Sequence, residues 1–255
     1  MTEDNCDYSF KSNEERDVEK FVGIEKYSSP EIEGIGGIYK HRYEDFIVRE
    51  ITESGDVLRI KKDDDTLLFS RESKDRFSTF NLTKINKDTF QAVRDLARAL
   101  EIPQRWINYS GLKDKNAVTV QKMSIKGDFI EDLRNLNIPD LYIRNVVPTR
   151  RAVRIGSNQG NYFTMTLRNI PHSKDLRGRI EKIGDIIKEK GFPNYFGLQR
   201  FGKFRPNSHI VGKYLIKQDY ENVYREMVEK SFTTEMEGSR EARQRLRDSG
   251  DLRQA

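Results

Sequence analysis

The feature that most constrains the fold is a helix signal running directly into a strand–corner–strand signal, between residues 88 and 125. Asp88-Thr89-Phe90-Gln91 reads as a capping box, with Asp88 as the N-cap and Gln91 three positions inside. Phe90, Val93, Ala97 and Leu100 recur at helical spacing as one apolar stripe, and Pro103 stops the helix. Trp106 to Tyr109 is a short apolar-aromatic strand, and Gly111 allows a sharp turn because it takes φ > 0 at little cost. Ala117 to Ile125 then resumes with the β-branched residues of a second strand. A helix that feeds a β corner packs beneath those strands, so the chain belongs to the mixed α and β class.

The tip of that corner is Lys113-Asp114-Lys115. A carboxylate between two cations on a rigid corner suits nucleophilic or charge-stabilising work better than proton donation. The same triplet is also an ordinary solvated turn, and both readings stand at this point.

At 255 residues the chain can form one large domain or two smaller ones. It is 35% hydrophobic and 34% charged, with a net charge of +5 that matters only where the excess is clustered. The single cysteine, Cys6, excludes an internal disulfide and a cysteine-rich zinc site. The 3 histidines are far apart and lack ligand spacing. No apolar run approaches the roughly 18 residues of a membrane span, and the polar, acidic start is no signal peptide. These features point to a soluble, cytoplasmic chain with no membrane partner.

Taken in order, residues 1 to about 28 mix charge and turn formers, with Phe21, Val22 and Ile24 able to dock as a short arm. Gly34, Gly36 and Gly37 form a turn rather than a phosphate loop, because no Gly-Lys-Ser/Thr ending follows. Strands are expected at 46–51, 57–61, 66–69, 77–83 and 162–168. Asp63, Asp64 and Asp65 read as a solvated hairpin tip rather than a magnesium site. Helices are expected from Ser173 with Gly191 past the end, over 209–216 and over 219–230.

Two windows are free of Asp and Glu. Residues 141 to 174 carry Arg144, Arg150, Arg151, Arg154, Arg168 and Lys174, and residues 190 to 218 carry Arg200 and Lys203 among others. The second window contains Asn194-Tyr195-Phe196-Gly197-Leu198-Gln199-Arg200-Phe201-Gly202, where aromatics are interleaved with amide and guanidinium groups. Stacking faces among cations are what unpaired bases and their phosphates need, so these windows favour RNA binding.

Four blocks in order, 36–50, 111–121, 156–163 and 194–202, resemble the TruD/Pus7 family of tRNA pseudouridine synthases, on its archaeal and eukaryotic side. The resemblance implies an α+β pseudouridine synthase fold, a mixed and largely antiparallel sheet flanked by helices. It also implies a partly mobile lead at 1–28, a catalytic domain over 29–205 and the start of an inserted α/β domain over 206–255. Asp114 would be the nucleophile that attacks the ribose of a flipped uridine. Lys40 would pair with that aspartate or a nearby phosphate, Phe196 would stack on the uracil, and Asn194, Gln199 and Lys113 would complete the substrate side. Arg150, Arg151, Arg154, Arg200 and Lys203 would hold tRNA or another RNA.

The same resemblance implies that no metal and no organic cofactor is used and that the complete protein is a monomer. His41-Arg42-Tyr43 departs from the family, which often has a proline before the acid pair, and Arg49 stands where an acidic residue is common. Because relatives are longer, the chain is expected to be incomplete, with an apolar edge uncovered near 163–167 and residues from about 232 poorly ordered. Two other readings remain: an RNA-binding fragment without turnover, and a metal-dependent nuclease that would need Asp63 to Asp65 beside Asp114.

Overall fold

A computed structural model describes residues 7–10, 15–60 and 76–251. The strand expected at 66–69, the acidic run Asp63 to Asp65, and Cys6 lie outside the described residues. In chain order the helices are α1 Glu15–Phe21, α2 Thr89–Ala99, α3 Ile130–Asn135, α4 Leu176–Lys190, α5 Ser208–Ile216, α6 Tyr220–Tyr224 and α7 Glu237–Ser249. The strands are β1 Phe46–Ile51, β2 Phe77–Ile85, β3 Ile107–Tyr109, β4 Val118–Lys126, β5 Leu141–Thr149 and β6 Gly160–Met165. They divide into two compact units, Ile35–Lys174 and Met1–Gly34 with Asp175–Ala255.

The first unit is built on one 6-stranded sheet in the order β5-β2-β4-β1-β6, with β3 also paired to β4. Only β1 and β4 run parallel; the other pairings are antiparallel. The central strands β2 and β4 are buried along nearly their whole length. Phe80, Leu82, Met123 and Ile125 project from them onto Ala92, Val93, Leu96 and Ala97 of α2 and onto Ile130 and Leu133 of α3. The apolar stripe of α2 is therefore turned from the expected one. Val93 and Ala97 are inside, but Phe90 is 52% exposed, and Ala92 and Leu96 take the central positions. Asp88 caps α2 as expected, its carboxylate accepting from the N–H of Gln91 at 2.7 Å.

β5 is an edge strand that the sequence pattern did not announce. It holds Pro148, which an edge tolerates because one side of its backbone needs no ladder bond. β6 is the other edge, and Phe163 and Met165 on it are 48% and 61% exposed, an open apolar edge where one was expected. Over 57–60, the described part of the segment expected as a strand at 57–61, Val57 bridges to Ile51 and the N–H of Leu58 donates to the Glu50 carbonyl, without a regular ladder.

The second unit is helical around an aromatic cluster. Tyr8 stacks on Phe232 at 4.5 Å, and Phe21 meets Tyr8, Phe10 and His209 edge-on. Phe232 is fully buried; beside it the N–H of Tyr8 donates to the Ser231 carbonyl and the N–H of Thr233 donates to the Tyr8 carbonyl. The expectation of poor order from about residue 232 is thus overturned over 232–251, and 252–255 lie outside the described residues. The reason is ionic: Glu235, 7% exposed, accepts from Arg205 and Arg243, while Asp7 accepts from Arg247 at 2.6 Å. Arg243 and Arg247 of α7 thereby tie the helix to Glu235 and Asp7. Within the helix expected at 219–230, α6 passes into a π-helical turn at Arg225–Glu229.

Candidate active site

Asp114 lies on the loop between β3 and β4, and side chains from four other places hold that loop. The Glu50 carboxylate, 1% exposed at the end of β1, accepts from the Lys113 ammonium at 2.8 Å and from the Ser110 hydroxyl at 2.5 Å. It also accepts from the N–H of Lys122 at 3.2 Å. A buried charge is tolerable only when paired and hydrogen-bonded, and Glu50 has both conditions met. Thr89, the first residue of α2, accepts the N–H of Lys113 at 3.1 Å and donates to Gln121. Gln121 in turn donates to the Gly111 carbonyl at 3.2 Å.

These anchors revise two expectations. Lys113, expected on the substrate side, is buried with its ammonium on Glu50, and its work is to hold the loop. Gly111 does not adopt the left-handed conformation, and an added Cβ would meet nothing within 4 Å. The corner is made by its side-chain ties, not by a glycine turn.

Lys84, at the end of β2, is fully buried. Its ammonium donates to three backbone carbonyls, those of Lys87 at 2.6 Å, Asp114 at 2.7 Å and Lys113 at 3.3 Å. Burial pushes this amine down to about 8, with Asp114 and Asp88 pulling it up and Lys113 pushing it further down.

The Asp114 carboxylate itself faces outward, with 44% of the side chain exposed, and accepts from the Lys40 ammonium at 3.2 Å. Lys40 also lies 3.9 Å above the Phe46 ring. Its backbone is left-handed, at φ 55, a conformation that costs a non-glycine residue about 1–2 kcal/mol and persists where its surroundings impose it. The imposing contacts are close by. Ile38 and Arg168 exchange backbone bonds at 2.7 and 2.9 Å, and the buried Asp45 receives the Arg168 guanidinium at 2.7–2.8 Å. That guanidinium holds the Asp45 carboxyl below its usual range. Gly36 and Gly37 are required here: both have positive φ, and a Cβ on Gly37 would stand 3.1 Å from the Arg168 carbonyl.

Arg150, Arg151 and Arg154 do come together. With Lys122 they line a groove of about 1230 Å³ that also meets Thr52 and Ser157. Thr52 follows the last residue of β1, whereas the Lys40–Asp114 pair sits by Phe46 at its start. The groove also includes Glu50, whose carboxylate holds Lys113, so it reaches the residues that anchor the Asp114 loop. Asn194, Phe196, Gln199, Arg200 and Lys203 belong to the other unit, where all five are exposed. Phe196 is 66% exposed with the Arg200 guanidinium 5.2 Å from its ring.

Glu50, Lys84, Thr89, Gln121 and Lys122 were not singled out as functional from the sequence. Each stands inside a strand or at a helix start, where side-chain type gives no hint of a loop partner. Among the described residues no three His, Cys, Asp or Glu side chains gather as a metal site, and none of the helices is long and apolar enough to cross a membrane.

The crystal structure of the TruD protein from Methanosarcina mazei superposes on this chain with a TM-score of 0.73 at 33% identity, covering 92% of this chain and 51% of that one. The sheet and its flanking helices therefore define a protein of the pseudouridine synthase fold class. The profile of the family "tRNA pseudouridine synthase D (TruD)" matches residues 21–255. The chain belongs to the TruD family. Relatives named "Probable tRNA pseudouridine synthase D" include those of Methanosarcina barkeri, 33% identical over 93% of this chain, and Methanococcus aeolicus, 38% identical over 74% of it. The chain spans 51% and 48% of those two relatives, about half the length of the curated proteins it matches.

Proposed function

We propose that this chain carries the catalytic aspartate of a tRNA pseudouridine synthase, with Asp114 as nucleophile. The observation that carries the reading is the solvent-facing Asp114 carboxylate beside Lys40, on a loop tied down by buried ionic side chains, in a member of the TruD family. An anchored carboxylate is ready to attack without reorganising, which is where positional catalysis is gained.

In the proposed reaction an Asp114 carboxylate oxygen bonds to the ribose C1′ of an extruded uridine as the C1′–N1 bond breaks. The released uracil turns, C5 bonds to C1′, and the carboxylate leaves. The proton on C5 is lost and N1 gains one, so the sum is an isomerisation. Lys40 balances the carboxylate's charge before attack and after release. Phe196 offers an open ring for stacking on an unpaired base, and Arg151, Arg154 and Lys122 offer cations for the RNA backbone.

Asp114→Asn keeps the shape and removes the anion. Pseudouridine measured by mass spectrometry in tRNA incubated with the variant should disappear, while tRNA affinity stays within a few-fold of the unsubstituted chain. Continued pseudouridine formation by Asp114→Asn would remove the proposed role. Chelation with EDTA should leave turnover unchanged.

A further inference from the structure

The two peptide groups that flank the Cα of Asp114 are those whose carbonyls belong to Lys113 and Asp114. Both carbonyls accept from one donor, the ammonium of Lys84. The third N–H of the same ammonium is taken by the Lys87 carbonyl, in the connection from β2 to α2. An ammonium has three N–H donors and no lone pair, and here three carbonyls match it. Fixing the peptide plane on each side of a Cα fixes the direction of its side chain. The aim of the Asp114 carboxylate is therefore set from below by a residue that touches no substrate.

We infer that Lys84 is a positioning residue for the reaction at Asp114, holding the two peptide groups around the nucleophile through a buried ammonium. The inference rests on the reading of Asp114 as nucleophile. A hydrophobic side chain would have filled the space under the loop at less cost, since a buried lysine must be desolvated. What only the charged amine supplies is a set of three donors in one place.

The charged surroundings make the idea measurable. Asp114 and Asp88 favour the ammonium, Lys113 opposes it, and burial opposes it most. Lys87 is occupied with Asp95 at 2.7 Å, Lys113 with Glu50 and Lys40 with Asp114, while Asp88 accepts from the N–H of Gln91 at the start of α2. Loss of a proton leaves two donors for three carbonyls and turns a lone pair toward one of them. The loop should then loosen on the alkaline side of neutrality, near the depressed value of about 8.

The test compares the unsubstituted chain with Lys84→Met, which keeps length and removes every donor. Three readouts are taken: amide hydrogen exchange of residues 111–116, kcat, and KM for tRNA, each at pH 7 and pH 9.5. In the unsubstituted chain, exchange in 111–116 should rise about tenfold more than in β4 between these pH values, the effect expected for losing about one hydrogen bond. kcat should fall while KM holds. Lys84→Met should show the loosened loop and a roughly hundredfold lower kcat already at pH 7, with no further alkaline loss.

Thr89→Val removes a different loop anchor and retains the ammonium, so it should loosen the loop yet keep the alkaline fall. If Lys84→Met keeps the alkaline fall, or loses kcat and KM together with unchanged exchange, the positioning role is wrong. Should Lys84→Met not fold, the pH comparison on the unsubstituted chain decides: no selective loosening of 111–116 by pH 9.5 overturns the inference. A chain that shows the loosening but never forms pseudouridine would instead count against the proposed function, so the two can fail separately.

Discussion

At the scale of single residues, the site is a set of charges placed so that each buried one has a partner and the reactive one does not need to be buried. Asp45 illustrates how such a pair reports itself. The Arg168 guanidinium lowers its carboxyl below the usual range, and the Arg42 N–H adds to the effect. A carboxylate with a depressed folded value contributes stability above its unfolded value, near about 4. That contribution is lost as pH falls through the folded value. Asp45→Asn should therefore lower the urea midpoint at pH 6 but show a shallower decline between pH 4 and pH 3 than the unsubstituted chain. Parallel declines would mean that the pair contributes nothing. Because Lys40 takes its left-handed backbone from the same segment, the variant should also weaken the Lys40–Asp114 contact.

At the scale of elements, α2 joins the core to the site. Its inner face carries Leu96, fully buried against the sheet, while its first residue, Thr89, holds the Asp114 loop. Leu96→Ala leaves a cavity in a packed interior and should cost about 2–5 kcal/mol in a denaturant titration. A cost below about 1 kcal/mol would show that the helix is loosely seated. The turned stripe of α2 has a simple origin. Phe90 satisfies helical periodicity as well as Ala92 does, but the space over β2 and β4 is filled by Phe80 and Met123. Small residues on the helix fit against large ones on the sheet, so the ring faces outward.

At the scale of the molecule, the basic residues are shared between the two units. Arg150, Arg151 and Arg154 line a groove of the sheet unit, and Arg200 and Lys203 stand in the helical unit. If the groove holds RNA phosphates, affinity should fall with salt by about 0.7 to 0.9 log units per log unit of salt for each phosphate neutralised. The double substitution Arg151→Ala with Arg154→Ala should flatten the slope by roughly 1.4 to 1.8. An unchanged slope would place the groove away from RNA.

Much of the fold was legible from local pattern. Strand β4 and the cap of α2 follow from residues adjacent in sequence, because helix and strand periods are properties of a short window. The blocks around Asp114 and Lys40 were legible through their resemblance to the TruD/Pus7 family. β5 was not: Arg144, Asn145 and Pro148 break its pattern, and only pairing with β2 makes it a strand. Nor could the sequence show that 232–249 is seated, since its partners Asp7, Phe10 and Arg205 are distant along the chain. Lys84 and Lys113 mark the limit most clearly. Taken alone, each lysine reads as surface. Their burial depends on carbonyls and a carboxylate that lie tens of residues away, and an ionic partner leaves no periodic trace in sequence. Tertiary structure alone decides which charges meet, because desolvation penalises every buried charge and only a correctly folded neighbour offsets it.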